Sequence, residues 1–255
     1  MSHPTPPSAE TLAREVDALR RQLTAAQRDL EAFMYTVSHD LRAPLRSLQG
    51  FSSVLLEMAD NELNVPPESK ARHYLARIQQ GSRKISDMID ALLALSRISR
   101  ADMFVRPVDF SQLCEEAATA VRARYPDRDL QFDIEPGMKL TGDARLLRTA
   151  LDALFDNACK FTARQPRGQI AVRNFADDTG AGFAVSDNGM GFDMAYSEKL
   201  FQPFQRLHAD HDVAPQESQG IGLATVQRIM SRHGGAAKAQ SQPAHGATFF
   251  CTLAS

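Results

Sequence analysis

From residue 12 onward, apolar positions fall at Leu12, Val16, Leu19, Leu23, Ala26, Leu30, Phe33 and Val37, in steps that alternate between four and three. This is the a/d spacing of a coiled coil held for about four heptads, with mostly Arg, Glu, Asp, Gln and Ala between. A lone helix cannot bury such a stripe, so the pattern predicts a homodimer. The stripe continues through Leu41, Leu45, Leu48 and Leu55, and Pro44 inside it predicts a kink. Residues 61–69, which include Pro66 and Pro67, read as a loop. A second helix then sets Ile78, Ile85, Ile89 and Leu92 on one face. Two helices joined by a loop predict an antiparallel hairpin, and two hairpins predict a four-helix bundle with its core on the dimer axis.

After Arg100 the period changes. Strand-like runs at 131–134, 170–175, 182–186 and 247–252 alternate with helical patterns near 110–123, 144–161 and 220–233. That order predicts an α/β sandwich of roughly 150 residues with helices packed on one sheet face. The expected fold is multidomain, α followed by α+β. Residues 1–10 are Pro- and Ser-rich and read as disordered, 11–32 as a coiled-coil helix, 33–100 as the dimerisation hairpin and 101–255 as the sandwich. A hinge is expected near 98–104.

Bulk properties narrow the function classes. The chain has 255 residues, 43% apolar and 24% charged, with a net charge of −2 and a pI near 6.4. No basic footprint for nucleic acid is present. No apolar run approaches the roughly 20 residues of a membrane span. The N-terminus, MSHPTPPSAE, lacks a charged-then-apolar export pattern. Cys114, Cys159 and Cys251 are too few and too far apart for a disulfide or metal template. Together these features predict a cytoplasmic protein with no membrane or nucleic-acid partner.

Candidate chemistry begins at His39. It lies two residues from the stripe positions Val37 and Leu41, and two residues on a helix turn through about 200°, so it should face solvent. A neutral imidazole is a nucleophile. Asp40 is placed to accept the hydrogen bond of the other ring nitrogen, fixing the tautomer and taking up charge. By itself, an exposed helical histidine is most often only a surface residue. Helix 144–161 carries an apolar stripe (Leu147, Leu151, Leu154, Ala158, Phe161) and a second line of Ala153, Asp156, Asn157 and Lys160. An amide oxygen can ligate Mg²⁺ and a lysine can meet phosphate; taken alone, the line reads equally as a solvated face. Asp187-Asn188-Gly189-Met190-Gly191 follows a strand. A carboxylate before glycines suits a planar base, although Asp-Asn-Gly is also a common hairpin turn. Gly220-Ile221-Gly222-Leu223 opens a helix, where exposed N–H groups favour an anion.

These segments carry a resemblance. Ser38-His39-Asp40-Leu41-Arg42-Ala43-Pro44-Leu45 resembles the H-box of dimeric histidine kinases nearly residue for residue. Residues 33–50 most resemble kinases of the bacteriophytochrome and soluble PAS-linked type. In order, the later elements resemble the N, G1, F and G2 boxes of the ATPase superfamily shared by DNA gyrase and histidine kinases. The resemblance covers nearly all of 33–255 and implies the catalytic core of a two-component sensor histidine kinase using ATP and Mg²⁺. By motif it implies that His39 is the phosphoacceptor beside Asp40, that Asn157 ligates Mg²⁺ and that Lys160 contacts phosphate. It makes Asp187 the acceptor for the adenine amino group, with Gly189 and Gly191 as the pocket floor. Gly220, Gly222 and Leu223 become the phosphate-binding stretch. Phe201-Gln202-Pro203-Phe204 matches the F-box, where Phe204 packs under a mobile lid expected at 205–219 and Arg206 reaches phosphate. The implied partners are a second copy, a response-regulator receiver domain that takes the phosphoryl group onto an Asp, and an upstream sensor module, for which the roughly 30 residues before the hairpin leave no room.

Three departures qualify it. Ala153 stands where the N-box has an earlier Asn, and Ser218 where the G2 box begins with Gly. Both predict weaker nucleotide binding or slower turnover. Carried further, they describe a catalytically weak phosphotransfer or scaffold protein with a degenerate ATP site. Ala43 replaces the Thr or Asn often found four residues after the histidine, which predicts a kinase with little phosphatase activity. His208 and His211 have no ligand cluster in the sequence, and His73, His233 and His245 are isolated; all five read as solvated or structural.

Overall fold

The computed structural model describes residues 9–61, 65–66, 69–177, 180–205 and 220–254. Residues 1–8 and the side chains of Leu12, Leu23, Leu30 and Phe33, four members of the coiled-coil stripe, lie outside that description. The chain divides into two compact units, one through Ser96 and one from Arg97.

The first unit holds α1 (Ala9–Asn61) and most of α2 (Lys70–Arg100). The expected coiled coil and the His39 segment are one continuous helix, and it runs through Pro44. Proline removes a single i→i−4 bond, a small loss in a helix of 53 residues. The two helices are antiparallel, since cross-helix partners rise along one as they fall along the other. Arg42 Nη2 donates to Asp90 Oδ1 at 2.7 Å, and Gln79 Nε2 to Ser53 Oγ at 3.0 Å. At the connection, Arg72 pairs with Asp60 and donates through Nε to the Val65 carbonyl at 2.8 Å and through Nη2 to the Ala59 carbonyl at 2.9 Å. Of these, the Ala59 carbonyl is one that the last turn of α1 leaves without a helical partner. Leu45, Ile89 and Leu93 form the buried apolar cluster of this unit. Leu41, Leu48, Leu55, Ile78 and Ile85 remain 44–50% exposed.

The second unit follows with β1 (Arg106–Asp109), α3 (Phe110–Arg124), β2 (Leu130–Ile134), β3 (Lys139–Gly142) and α4 (Ala144–Phe161). Next come β4 (Gly168–Asp177), β5 (Gly180–Asp187), a short 3-10 helix (Met194–Lys199), α5 (Gly222–Arg232), β6 (Ala237–Ser241) and β7 (Ala247–Leu253). The main sheet has the order β2-β4-β5-β7-β6, and β1 pairs with β3 apart from it. Only β2 and β4 run parallel within the main sheet. Inward residues of β4, β5 and β7 (Ile170, Val172, Phe183, Val185, Phe249, Cys251) meet Phe110, Leu147, Leu151, Phe155, Ile229 and Met230 of α3, α4 and α5 in one buried core. The four expected strands are present with ends shifted by at most two residues, and helix 144–161 has the expected bounds. β1, β3 and β6 were not legible as strands: they are four or five residues long, and β6 (Ala-Lys-Ala-Gln-Ser) has no β-branched or aromatic residue.

Residues 98–104, where a hinge is expected, follow directly on the division between the units and are bonded to the second. Ile98 and Met103 pack against the core. Arg228 Nε donates to Ser99 Oγ at 2.6 Å, and Arg232 Nη1 donates to the Ile98 carbonyl. Arg145 Nη2 donates to the Asp102 carbonyl at 3.0 Å, and the Phe104 N–H donates to Asp143 Oδ2 at 2.9 Å. No described helix is long and apolar enough to cross a membrane.

Candidate functional site

His39 sits where its distance from the stripe puts it. Ser38 is buried, while the side chains of His39 and Asp40 are 71% and 70% exposed. Nδ1 of His39 lies 3.2 Å from Oδ1 of Asp40. In the tautomer that donates through Nδ1, Nε2 keeps its lone pair. Pro44 also lacks the N–H that would otherwise bind the Asp40 carbonyl one turn back.

The nucleotide candidates belong to the second unit. α4 is held at its start by Asp143, whose Oδ1 accepts from the Arg145 and Leu146 N–H groups. Leu147, Leu151, Leu154 and Ala158 of its apolar stripe are buried and Phe161 is half-buried, as are Asn157 and Lys160. Lys160 Nζ lies 2.6 Å from Asp156 Oδ2. The end of α4 meets the loop after β5, where the Met190 N–H donates to the Phe161 carbonyl at 3.2 Å.

At the end of β5, Asp187 Oδ1 accepts from the Gly189 N–H at 2.8 Å. Burial pushes the Asp187 carboxyl up to about 6, against the pull of the Gly189 and Ala247 N–H groups. A side chain at Gly189 would lie 2.7 Å from Asp187 Oδ1 and 2.8 Å from the Phe161 carbonyl oxygen, so the cradle admits only glycine. Gly191, at φ +62°, would put a Cβ 2.2 Å from the Gln242 carbonyl oxygen. The β6–β7 turn therefore backs this loop: the Ala244 N–H donates to the Met190 carbonyl at 2.7 Å, and the Phe192 N–H to Ser241 Oγ at 2.9 Å. Sequence reasoning missed this support, although Gln-Pro-Ala-His-Gly (242–246) is a recognisable turn.

Gly220 has φ +69°, and its carbonyl accepts from the Phe204 N–H at 2.9 Å. The two chain ends flanking 206–219 are thus joined, and Phe204 itself has φ +65°. α5 begins without a side-chain cap among the described residues, whereas Asp109 and Asp143 cap α3 and α4. A Cβ on Gly222 would meet Ala153 at an ordinary 3.7 Å, so space alone does not require glycine there. Leu223 is partly buried against the core. Arg206, Ser218, His208, His211 and all of the expected lid except Gln205 lie outside the described residues.

His233, passed over as isolated, is a buried junction. Its Nε2 accepts from the Asp143 N–H at 3.0 Å, and Nδ1 donates to the Ile229 carbonyl at 2.8 Å. A groove of about 340 Å³ on the sheet's open face is lined by Gln131, Asp133, Gln169, Ser186, Asn188 and His245, and of the candidate residues it reaches only Asp187. No described group of three or more His, Cys, Asp or Glu is placed to hold a metal.

Comparison with known proteins places these parts. Residues 29–101 match the His Kinase A (phospho-acceptor) domain. Residues 142–255 match the histidine kinase-, DNA gyrase B- and HSP90-like ATPase family. The chain is 30% identical over 233 residues to the methanogenesis regulatory histidine kinase FilI of Methanothrix harundinacea, covering 91% of this chain and 25% of that protein. It is 32% identical over 225 residues to the circadian input-output histidine kinase CikA of Synechococcus elongatus, covering 85% of this chain and 29% of CikA. The chain thus spans under a third of these curated relatives. Full-length ShkA, solved in complex with AMPPNP, aligns with a TM-score of 0.54 at 25% identity over 87% of this chain and 46% of ShkA. With a phospho-acceptor hairpin in front of such an ATPase-type domain, the chain belongs to the sensor histidine kinases.

Proposed function

We propose that this chain is an ATP-dependent protein-histidine kinase core that phosphorylates its own His39 and passes the phosphoryl group to an aspartate of a response-regulator receiver domain. The observation that carries the reading is an exposed imidazole with Nδ1 set 3.2 Å from a carboxylate, within the phospho-acceptor stretch. With Nδ1 donating to Asp40, the Nε2 lone pair attacks the γ-phosphorus. An N–P bond forms as the bond to the departing ADP oxygen breaks. The Nδ1 proton stays shared with Asp40, which offsets the positive charge arriving on the ring.

Asp187 accepts from the adenine amino group, and Gly189 and Gly191 let backbone lie close beneath the ring. The uncapped start of α5, with Gly220, Gly222 and the Leu223 N–H, faces phosphate, aided by the helix dipole. Lys160 and Arg206 add positive charge, and Phe204 packs at the foot of the lid. Mg²⁺ suits the donor set: Asn157 offers one amide oxygen and the described residues offer no cage of their own, as expected for an ion held mainly by phosphates and water. When bound, it neutralises charge developing on the phosphates.

The exposed stripe of Leu41, Leu48 and Leu55 supports a homodimer. We assign 11–32 to a signalling coiled coil fed by an upstream sensor module, 33–100 to phosphotransfer and 101–255 to catalysis, in a cytoplasmic setting. Ala43 favours kinase over phosphatase activity. Labelled ATP with Mg²⁺ tests the reading: the chain should label itself, and His39→Gln should abolish the label while still binding AMPPNP. Label that survives His39→Gln overturns it. Failure to label despite AMPPNP binding favours the weak phosphotransfer reading, which Ala153 beside Gly222 supports.

A further inference from the structure

Asp156 has more donors than a solvated helix position needs. Its Oδ1 accepts from the Tyr125 hydroxyl at 2.8 Å and from Arg124 Nη1 at 3.0 Å, both at the end of α3. Its Oδ2 has one ionic partner, Lys160 Nζ at 2.6 Å, four residues on along α4. The two side chains of this pair are only 23% and 19% exposed, so water screens it incompletely.

The two oxygens divide the labour. The Oδ1 donors come from another helix and have no candidate role toward nucleotide. The Oδ2 donor is the residue read as a phosphate contact. Taking one partner from a poorly solvated ion pair ordinarily leaves an uncompensated charge, at high cost. Here Tyr125 and Arg124 stay in place, so Lys160 can leave without stranding the carboxylate.

We propose that Asp156 is a positioning residue that parks the Lys160 ammonium on Oδ2 and hands it to the phosphates of an incoming nucleotide, while Tyr125 and Arg124 hold Oδ1. The inference rests on the reading of Lys160 as a phosphate contact. It predicts opposite signs for neighbouring substitutions. Asp156→Asn keeps an oxygen for the α3 donors but loosens Lys160, so the affinity for AMPPNP·Mg should rise about two- to five-fold. Tyr125→Phe weakens the Oδ1 anchorage and raises the cost of release, so affinity should fall by about the same factor. Arg124→Gln, at a half-exposed position that folding tolerates, should act in the same direction as Tyr125→Phe.

Isothermal titration of AMPPNP·Mg into the full chain reads these shifts, and a double-mutant cycle on a Lys160→Ala background should erase them. A merely structural network would weaken binding with all three substitutions, whether or not Lys160 is present. That result, or unchanged affinity in Asp156→Asn, overturns the proposal and leaves the phosphate reading standing. Unchanged affinity in Lys160→Ala alone overturns both.

Discussion

The two units treat the same kind of residue in opposite ways. In the second, Phe110, Leu147, Phe155 and Phe183 are fully buried, because helices with a 3.6 period and strands with a period of 2 turn their apolar faces onto each other. In the first, Leu41, Leu48 and Leu55 stand in as regular a stripe and stay half-exposed, because the hairpin alone gives them no facing surface. Regular patterning therefore reveals that a face must be covered, but not whether the same chain covers it.

The largest test of this contrast is a pair of truncations. Phe155→Ala should destabilise the second unit by about 3–5 kcal/mol in urea unfolding. Leu48→Ala should change monomer stability by less than about 0.5 kcal/mol and instead weaken self-association, read by sedimentation. If Leu48→Ala destabilised the monomer as much as Phe155→Ala does, the first unit would have a core of its own and the contrast would break.

A second test uses the buried carboxyl at the second unit's site. Asp187 has its carboxyl raised to about 6, above the ordinary value near 4, so the folded state holds its proton more tightly than the unfolded one. The stability this gives is complete below about pH 4 and is lost as pH rises through 6. Relative to Asp187→Asn, the ligand-free chain should lose roughly 2–3 kcal/mol between pH 4 and pH 7. Nucleotide affinity should move the other way and rise through pH 6, because the ionised carboxylate is the better acceptor. A flat difference between the two proteins would mean that burial does not raise the Asp187 carboxyl.

Much of this was legible in the chain itself. His39 faces solvent because it stands two residues from a stripe, and α4 kept its bounds because its apolar period is clean and Asp143 caps it. Asp187 ends β5, directly after the strand-like run at 182–186. What the chain did not reveal rests on partners distant in sequence. The β6–β7 turn backs Gly191, Arg228 reaches Ser99, and Tyr125 meets Asp156; no local period encodes any of these. The ties of the segment expected as a hinge, beside the division between the units, are of the same kind. Its residues look like a linker one by one, but Ile98 and Met103 find room in a core built by later segments.

Asp143, which caps α4 and accepts from the Phe104 N–H, gives a third, smaller effect. Arg145 first, then the N–H groups of Phe104, Leu146 and Arg145, hold its carboxyl well below the usual range despite burial. The stability it supplies is present at neutral pH and is lost as pH falls below about 4 through its lowered value. Asp143→Ala should cost about 2 kcal/mol at pH 7 by thermal unfolding, combining a lost cap with a lost tie to Phe104, and less in acid. A cost that did not shrink in acid would assign the effect to packing.

The smallest effect returns to the first unit. Arg42 and Asp90 pair at 2.7 Å across the hairpin, but their side chains are 33% and 65% exposed. Such a pair is worth about 0.2–1 kcal/mol, and 1 M salt, with a screening length of about 3 Å, should nearly erase it. A double-mutant cycle of Arg42→Ala and Asp90→Ala, measured at low and high salt, isolates the coupling. If the coupling is that small, the pair adds little to the buried cluster of Leu45, Ile89 and Leu93, and the homodimer proposed above is what should cover the stripe. A coupling above about 2 kcal/mol that salt left unchanged would mean that the hairpin closes on its own polar contacts, and the stripe would have to be exposed for some purpose other than self-association.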